Sequence, residues 1–321
     1  MQQVANRYEQ PPVTAASTNR RVCPLCGGTE HSQWRRMNLL RCTDCGLVFD
    51  GRVWEEGSDR EVEAEWFDEG TPSEVTGWVR TFEHLNNRRT WHRIASLVPP
   101  AGTLLEIGVG SGSFLAYVRS KGMTAEGCDL SRTVCEAVTK RTGIPVFHGD
   151  IAQAPKRKTF DVVVMNHVLE HVCSPSKFLE DVRPRLRRGG LLHVAVPNIL
   201  CCEASLPGWP GYEPYHFTYF SRKTLGRAVE AAGLSVLRVE THESFSGWFL
   251  TGLRSLIGCH TRRAESMKGL RRKRDNTWLE HCYRSAMALA GAVTLPVRAL
   301  QSAIGRGDEL VLLCRSTASP T

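Results

Sequence analysis

LLEIGVGSGSFLAYV, residues 104–118, is the stretch whose reading decides the fold. Leu104, Leu105 and Ile107 form an apolar run of strand length broken only by Glu106, glycines then stand at 108, 110 and 112, and the chain turns apolar again at Phe114. Glycines at this spacing let a backbone bend sharply from strand into helix and approach a ligand more closely than any side chain would permit.

Outward from this stretch, short apolar runs alternate with longer segments: TLLEIG, AEGCDL, IPVFHG, DVVVMN, LLHVAVPN, LSVLRVE and ELVLLCR. The segments between them are long enough for crossover helices. This predicts an α/β, Rossmann-like, doubly wound fold around a mostly parallel seven-stranded sheet. Ligands of such sheets bind beyond the carboxyl ends of the strands, where Asp129, Asp150, Asn166 and His167 fall.

A glycine turn of this kind serves nicotinamide dinucleotides as well as other nucleosides, and Asp129 could hold a ribose in either case. The dinucleotide fingerprint, however, calls for glycine or alanine at 113, where this chain has Ser113. The actual spacing, Glu106-x-Gly108-x-Gly110-x-Gly112, resembles the first motif of class I S-adenosylmethionine-dependent methyltransferases. That resemblance continues through FHGDIAQ, FDVVVMNHVLEHV, LRRGGLLHVAVPN and GRGDELVLLCR in the same order. It implies S-adenosyl-L-methionine as cofactor. Glu106 and the three glycines belong to its loop, Asp129 grips the ribose hydroxyls, Asp150 bonds the adenine amino group, Ile151 packs beside the ring, and Asn166 floors the site. Residues 196–234 are similar to bacterial small-molecule and glycan-pathway methyltransferases, in which a Pro-x-His element, here Pro214, Tyr215 and His216, lies in the region facing the methyl donor.

Methyl transfer to a hydroxyl needs in-line alignment, exclusion of water and a base titrating near neutrality. His216 and His167 are the candidate bases. His171, four residues beyond His167, is expected on the same helical face. The His167–His171 spacing lacks the glutamate of a zincin, because Val168 and Leu169 fill that place.

Cys23-x2-Cys26 and Cys42-x2-Cys45 have the double-knuckle spacing of a small zinc ribbon that precedes the sheet. Trp34 to Leu40 reads as a hairpin between the knuckles. Four thiolates close the coordination sphere, so the expected Zn2+ is structural.

Twelve cysteines in a 321-residue chain with 41% hydrophobic and 23% charged residues fit a reduced, cytoplasmic globular protein. No 18-residue apolar stretch reads as a membrane span. The chain is basic, 41 Lys and Arg against 33 Asp and Glu, with the run TRRAESMKGLRRKRD at 261–275. An RNA or DNA methyltransferase is the nucleic-acid alternative, but the fourth strand is not followed by [DN]-P-P-[FYW] and no Pro-Cys dipeptide occurs. The expected partner is a small-molecule or sugar acceptor, with peripheral membrane contact open to residues 246–304. Other readings are a non-catalytic S-adenosylmethionine-binding or partner-binding protein and a nicotinamide oxidoreductase.

The chain is thus read as a lead-in at 1–21, the ribbon at 22–50, an acidic linker and covering helices at 51–98, the cofactor domain at 99–245, a helical insertion at 246–304 and a final strand with its tail at 305–321. The linker begins with nine acidic residues against two arginines between Asp50 and Glu69. Apolar residues from Val79 to Leu97 fall at helical spacing.

Overall fold

A computed structural model describes residues 22–35, 39–51, 77–155, 158–213, 215–243, 247–256, 285, 289 and 291–317. The lead-in, most of the acidic stretch, Pro214 and the basic run 261–275 lie outside these residues. In chain order the strands are β1 His31–Trp34, β2 Leu39–Cys42, β3 Val48–Asp50, β4 Thr103–Ile107, β5 Thr124–Asp129, β6 Val146–His148, β7 Phe160–Asn166, β8 Leu186–Pro197, β9 Thr218–Tyr219, β10 Leu234–His242 and β11 Glu309–Ser316.

Seven of them form one sheet in the order β10-β11-β8-β7-β4-β5-β6. β4 pairs in parallel with β5 and β7, β5 with β6, and β7 with β8. β11 alone runs against its neighbours, β8 and β10. The expected parallel sheet is therefore closed by one reversed strand inserted between two others, which brings the start of β11 level with the end of β8, Glu309 opposite Pro197.

Strand residues alternate between the sheet's two faces, as the twofold strand period requires. Leu104, Val162 and Val164 point into one apolar cluster with Ile94, Leu115, Val118, Val134 and Val138, under the helices Gly77–Ile94, Ser113–Ser120 and Arg132–Thr142. Leu105, Val163 and Met165 point into the other, with Leu179, Val182, Leu225 and Val229 of the helices Pro175–Val182 and Arg222–Ala231. Burial on both faces explains why DVVVMN is apolar without interruption. Each such side chain taken from water contributes about 1.5–3 kcal/mol.

The ribbon does not stand apart from this core. Cys23, Cys42, Cys45, Leu47 and Phe49 share the second cluster with Leu179 and Leu225. The hairpin expected between the knuckles is β1 with β2. β3 extends it, and β9, from about 170 residues further along the chain, completes a four-stranded sheet ordered β1-β2-β3-β9. No helix of the described residues is long and apolar enough to cross a membrane.

Candidate active site

The glycine turn sits at the carboxyl end of β4. Gly108 N donates to Cys128 O at 2.8 Å, and Gly112 N donates to Val109 O at 2.7 Å, which closes the turn before the helix Ser113–Ser120 begins. Gly110 and Gly112 have φ of 48° and 66°, a left-handed backbone that favours glycine. Their surroundings differ. A Cβ on Gly112 would lie 2.5 Å from Val138 Cγ1, whereas one on Gly110 would meet nothing within 4 Å. Gly112 is thus small for packing, and Gly110 keeps the site side of the loop open.

Asp129, the last residue of β5, is aimed at this loop. Val109 N donates to its Oδ2 at 2.9 Å and Ser131 N to its Oδ1 at 3.0 Å. Burial raises the Asp129 carboxyl above its ordinary pKa, against the opposing pull of backbone amides at Ser131, Gly110 and Val109. Burial, and then the charge of Asp129, push Glu106 well above the carboxylate range. Glu106 Oε2 and, at the end of β7, Asn166 Oδ1 are buried without a hydrogen-bond partner. Buried acceptors of this kind ordinarily find a donor. Together with the open side of Gly110, they fit a ligand carrying an ammonium group and ribose hydroxyls.

Asp150 follows β6, and its Oδ1 accepts from Ala152 N at 2.9 Å. Ile151 beside it is buried in the core. The turn is pinned by Arg185, itself buried, which donates to the carbonyls of Pro155 at 2.6 Å, Ile151 at 2.6 Å and Ala154 at 2.7 Å. Arg185→Met is expected to strand these carbonyls and to cost on the order of 3 kcal/mol, read as a shift of the denaturant midpoint. A midpoint unchanged within error would remove the arginine from this role.

The histidines meet around Glu170, a carboxylate absent from the sequence-based site. His167 and His171 do not share a helical face. His167 has φ 55°, and only Leu169–His171 form a single 3-10 turn, so the two rings find different partners. His167 Nδ1 lies 3.2 Å from Glu170 Oε1 and its Nε2 lies 3.1 Å from Glu309 Oε1. The His167 side chain is half exposed, and although partial desolvation pulls its pKa down, the hydrogen bonds to the two glutamates outweigh this and hold the imidazole well above its usual range. His171 Nδ1 is 3.3 Å from Tyr215 O, its ring stacks on Tyr215, and it meets His216 edge-on. His216 Nδ1 bonds Gly211 O at 2.8 Å.

Burial, followed by the neighbouring His171, pushes His216 down to about 3, and burial likewise lowers His171. Burial works to raise Glu170, but the hydrogen bond and charge of His167, then the charges of His171 and His216, keep it below its ordinary value. The result is an imidazolium at 167, a carboxylate at 170 and neutral imidazoles at 171 and 216. One ligand atom from each of Glu170, His171 and His216 lies within 4.8 Å of the others, so this set could hold a divalent ion as well as handle a proton.

The folded-state pKa of His167 is raised, so its contribution to stability is complete below about pH 6.5 and fades as pH rises through the folded value. The thermal stability of the native protein is expected to decline, relative to His167→Gln, between neutrality and pH 9. Parallel melting curves across that range would contradict the pairing.

In the ribbon, Cys23 Sγ is 3.5 Å from Cys45 Sγ and Cys26 Sγ is 3.6 Å from Cys42 Sγ, and all four sulfurs lie within 4.8 Å of one another. A tetrahedral zinc with Zn–S bonds of about 2.3 Å separates its sulfurs by roughly 3.8 Å, so the four thiols fit a closed structural site.

The sheet with one reversed strand, the glycine turn and the acidic residue ending the next strand define a class I S-adenosylmethionine-dependent methyltransferase, and the chain belongs to that class. Residues 80–239 match the family Methyltransf_23, described as a methyltransferase domain. A ubiquinone biosynthesis O-methyltransferase of a Methylobacterium species is 31% identical over 157 residues, 43% of this chain and 62% of that protein. Another from Methylobacterium nodulans is 28% identical over 198 residues, 55% of this chain and 79% of that one. The chain spans less than two thirds of the length of most curated relatives it matches. The crystal structure of 1,6-didemethyltoxoflavin-N1-methyltransferase from Burkholderia thailandensis, with bound 1,6-didemethyltoxoflavin and S-adenosylhomocysteine, superposes with a TM-score of 0.51 at 12% identity, covering 86% of this chain and 98% of that one. That likeness is one of fold.

Proposed function

We propose that the protein transfers a methyl group from S-adenosylmethionine to a hydroxyl oxygen of a small-molecule or sugar acceptor. The observation that carries this reading is the meeting of buried His216 and Glu170 with His171, one ligand atom of each within 4.8 Å of the others, just beyond the carboxyl end of β7 in the sheet that also carries the glycine turn. Glu106, Gly108, Gly110, Gly112, Asp129, Asp150, Ile151 and Asn166 would hold the cofactor, whose sulfonium supplies an already activated methyl group.

His216 is the base in this reading, and burial holds it well below the near-neutral titration expected of such a base from the sequence, so the proton transfer relies on the Glu170 carboxylate beside it. With Nδ1–H donated to Gly211 O, its lone pair is on Nε2, and the nearby Glu170 carboxylate stabilises the imidazolium formed when an acceptor hydroxyl is deprotonated. His167, already protonated, keeps Glu170 ionised instead of accepting the proton. His171 orients His216 from the side. Burial excludes water from the reacting groups. The four cysteines would hold a structural Zn2+, for which the reduced cytoplasm is the matching compartment.

Calorimetric titration with S-adenosylmethionine, S-adenosylhomocysteine and NADH tests the reading. Micromolar binding of the first two and none of NADH is expected. Tight binding of NADH alone would overturn it, and cofactor binding with no turnover across hydroxyl acceptors would favour the non-catalytic alternative. Ribosomal RNA and duplex DNA in the acceptor screen check the nucleic-acid alternative.

A further inference from the structure

We infer that the cysteine ribbon is a positioning element for the acceptor half of the site, so that metal held by the four cysteines orders the segment carrying His216 and leaves the cofactor half unaffected. The division into halves rests on the methyltransferase reading above.

The argument begins with a strand two residues long. β9 follows His216 after one residue and is too short to hold itself. It is kept in place from two sides. On one side Val48 pairs with Tyr219 and Phe49 with Thr218, and Asp50 N donates to Phe217 O at 2.9 Å. On the other, Phe217 N donates to Glu170 O at 2.8 Å and Thr218 Oγ1 to Leu169 O at 3.2 Å. The chain bearing His216 is thus clamped between the ribbon and the turn bearing Glu170 and His171.

β3 begins three residues after Cys45, and β2 ends in Cys42. A four-residue, a four-residue and a three-residue strand bury too little to hold their own shape, so the knuckles set the position of β3 and β3 sets β9. Side chains reinforce the junction. Leu39 and Val48 share a cluster with Trp209, Tyr212 and Tyr219, and Arg35 Nη1 donates to Tyr212 Oη at 3.3 Å. Leu25 O accepts from Ser176 Oγ and Asp44 O from Arg227 Nη1. These bonds all reach residues beyond Asn166, whereas the ribbon is joined to Leu105 and Ile107 of β4 through a shared apolar cluster. The glycine loop and Asp129 are held instead by β4, β5 and the helix Arg132–Thr142.

The test compares metal-replete full-length protein with the same protein stripped by a thiol-competing chelator. Metal content is measured by mass spectrometry, amide exchange peptide by peptide, and S-adenosylhomocysteine affinity by calorimetry. Metal loss is expected to speed exchange over residues 211–220 by about tenfold or more, with little change over 103–131 and an affinity shift within about threefold. Arg35→Met, with the cysteines intact, is expected to retain its metal and to loosen the same segment to a lesser degree. Unchanged exchange at 211–220 after metal loss would overturn the inference, as would purified protein that binds no metal. Exchange that rises over 103–131 as well, with affinity lost in parallel, would also overturn it, because the ribbon would then be a general staple. Failure of the replete protein to bind S-adenosylhomocysteine would instead overturn the functional reading, with the exchange comparison still deciding whether the ribbon orders β9.

Discussion

Gly110→Val is expected to lower the affinity for S-adenosylhomocysteine by at least about a hundredfold while the protein stays folded. A Cβ added here meets nothing within 4 Å, so the main cost to the fold is the left-handed backbone, about 1–2 kcal/mol, read as a melting temperature lower by a few degrees. Its cost to binding is different in kind, because the space it fills is the open side of the loop. Gly112→Val is the control with the opposite signature. There the new Cβ would drive into Val138, so stability falls first. Asp129→Ala should join Gly110→Val in losing affinity, since it removes the carboxylate assigned to the ribose and the anchor of Val109 N. Calorimetry paired with thermal melts separates the two signatures. Native affinity in Gly110→Val would mean that the methyl donor does not lie on this loop.

His216→Ala is expected to retain S-adenosylhomocysteine binding and to lose roughly a hundredfold or more in turnover, the usual cost of a missing general base. The pH profile gives an independent sign. A base with a pKa pushed down to about 3 is neutral throughout the ordinary range, so protonation of His216 would impose no acid limb between pH 8 and 5, and that loss would come only as pH falls toward 3. An acid limb centred near 6.5 that survives in His216→Ala would point to another group. Turnover close to native in the variant would hand the role to His171 or remove the need for a base.

The fold was legible because its signals are local. The apolar run before Gly108 and the glycine spacing lie in fifteen consecutive residues, and the uninterrupted run Val162–Met165 reports burial on both faces of the sheet. The reversal of β11 was not legible, because ELVLLCR reads the same in either direction and only its pairing with β8 and β10 orients it. The site was legible in part. His167, His171 and His216 stand out by residue type, yet the carboxylate that organises them was passed over although Glu170 lies three residues from His167, within reach of one turn. Glu309 left no signal, because it approaches His167 from 142 residues away. The fourth strand of the ribbon sheet was equally silent, since two residues of β9 carry no periodicity.

The place of β11 in the sheet sets an order of events during synthesis. β8 and β10 are made early but do not touch each other; the strand that joins them pairs Glu309 with Pro197, more than a hundred positions back. Until it arrives, one edge of β8 and both edges of β10 are open ladders. Late, long-range closure of that kind slows folding and leaves edges exposed to other chains. Glu309 is the first residue of the closing strand, so the carboxylate that grips His167 arrives only with the step that completes the sheet.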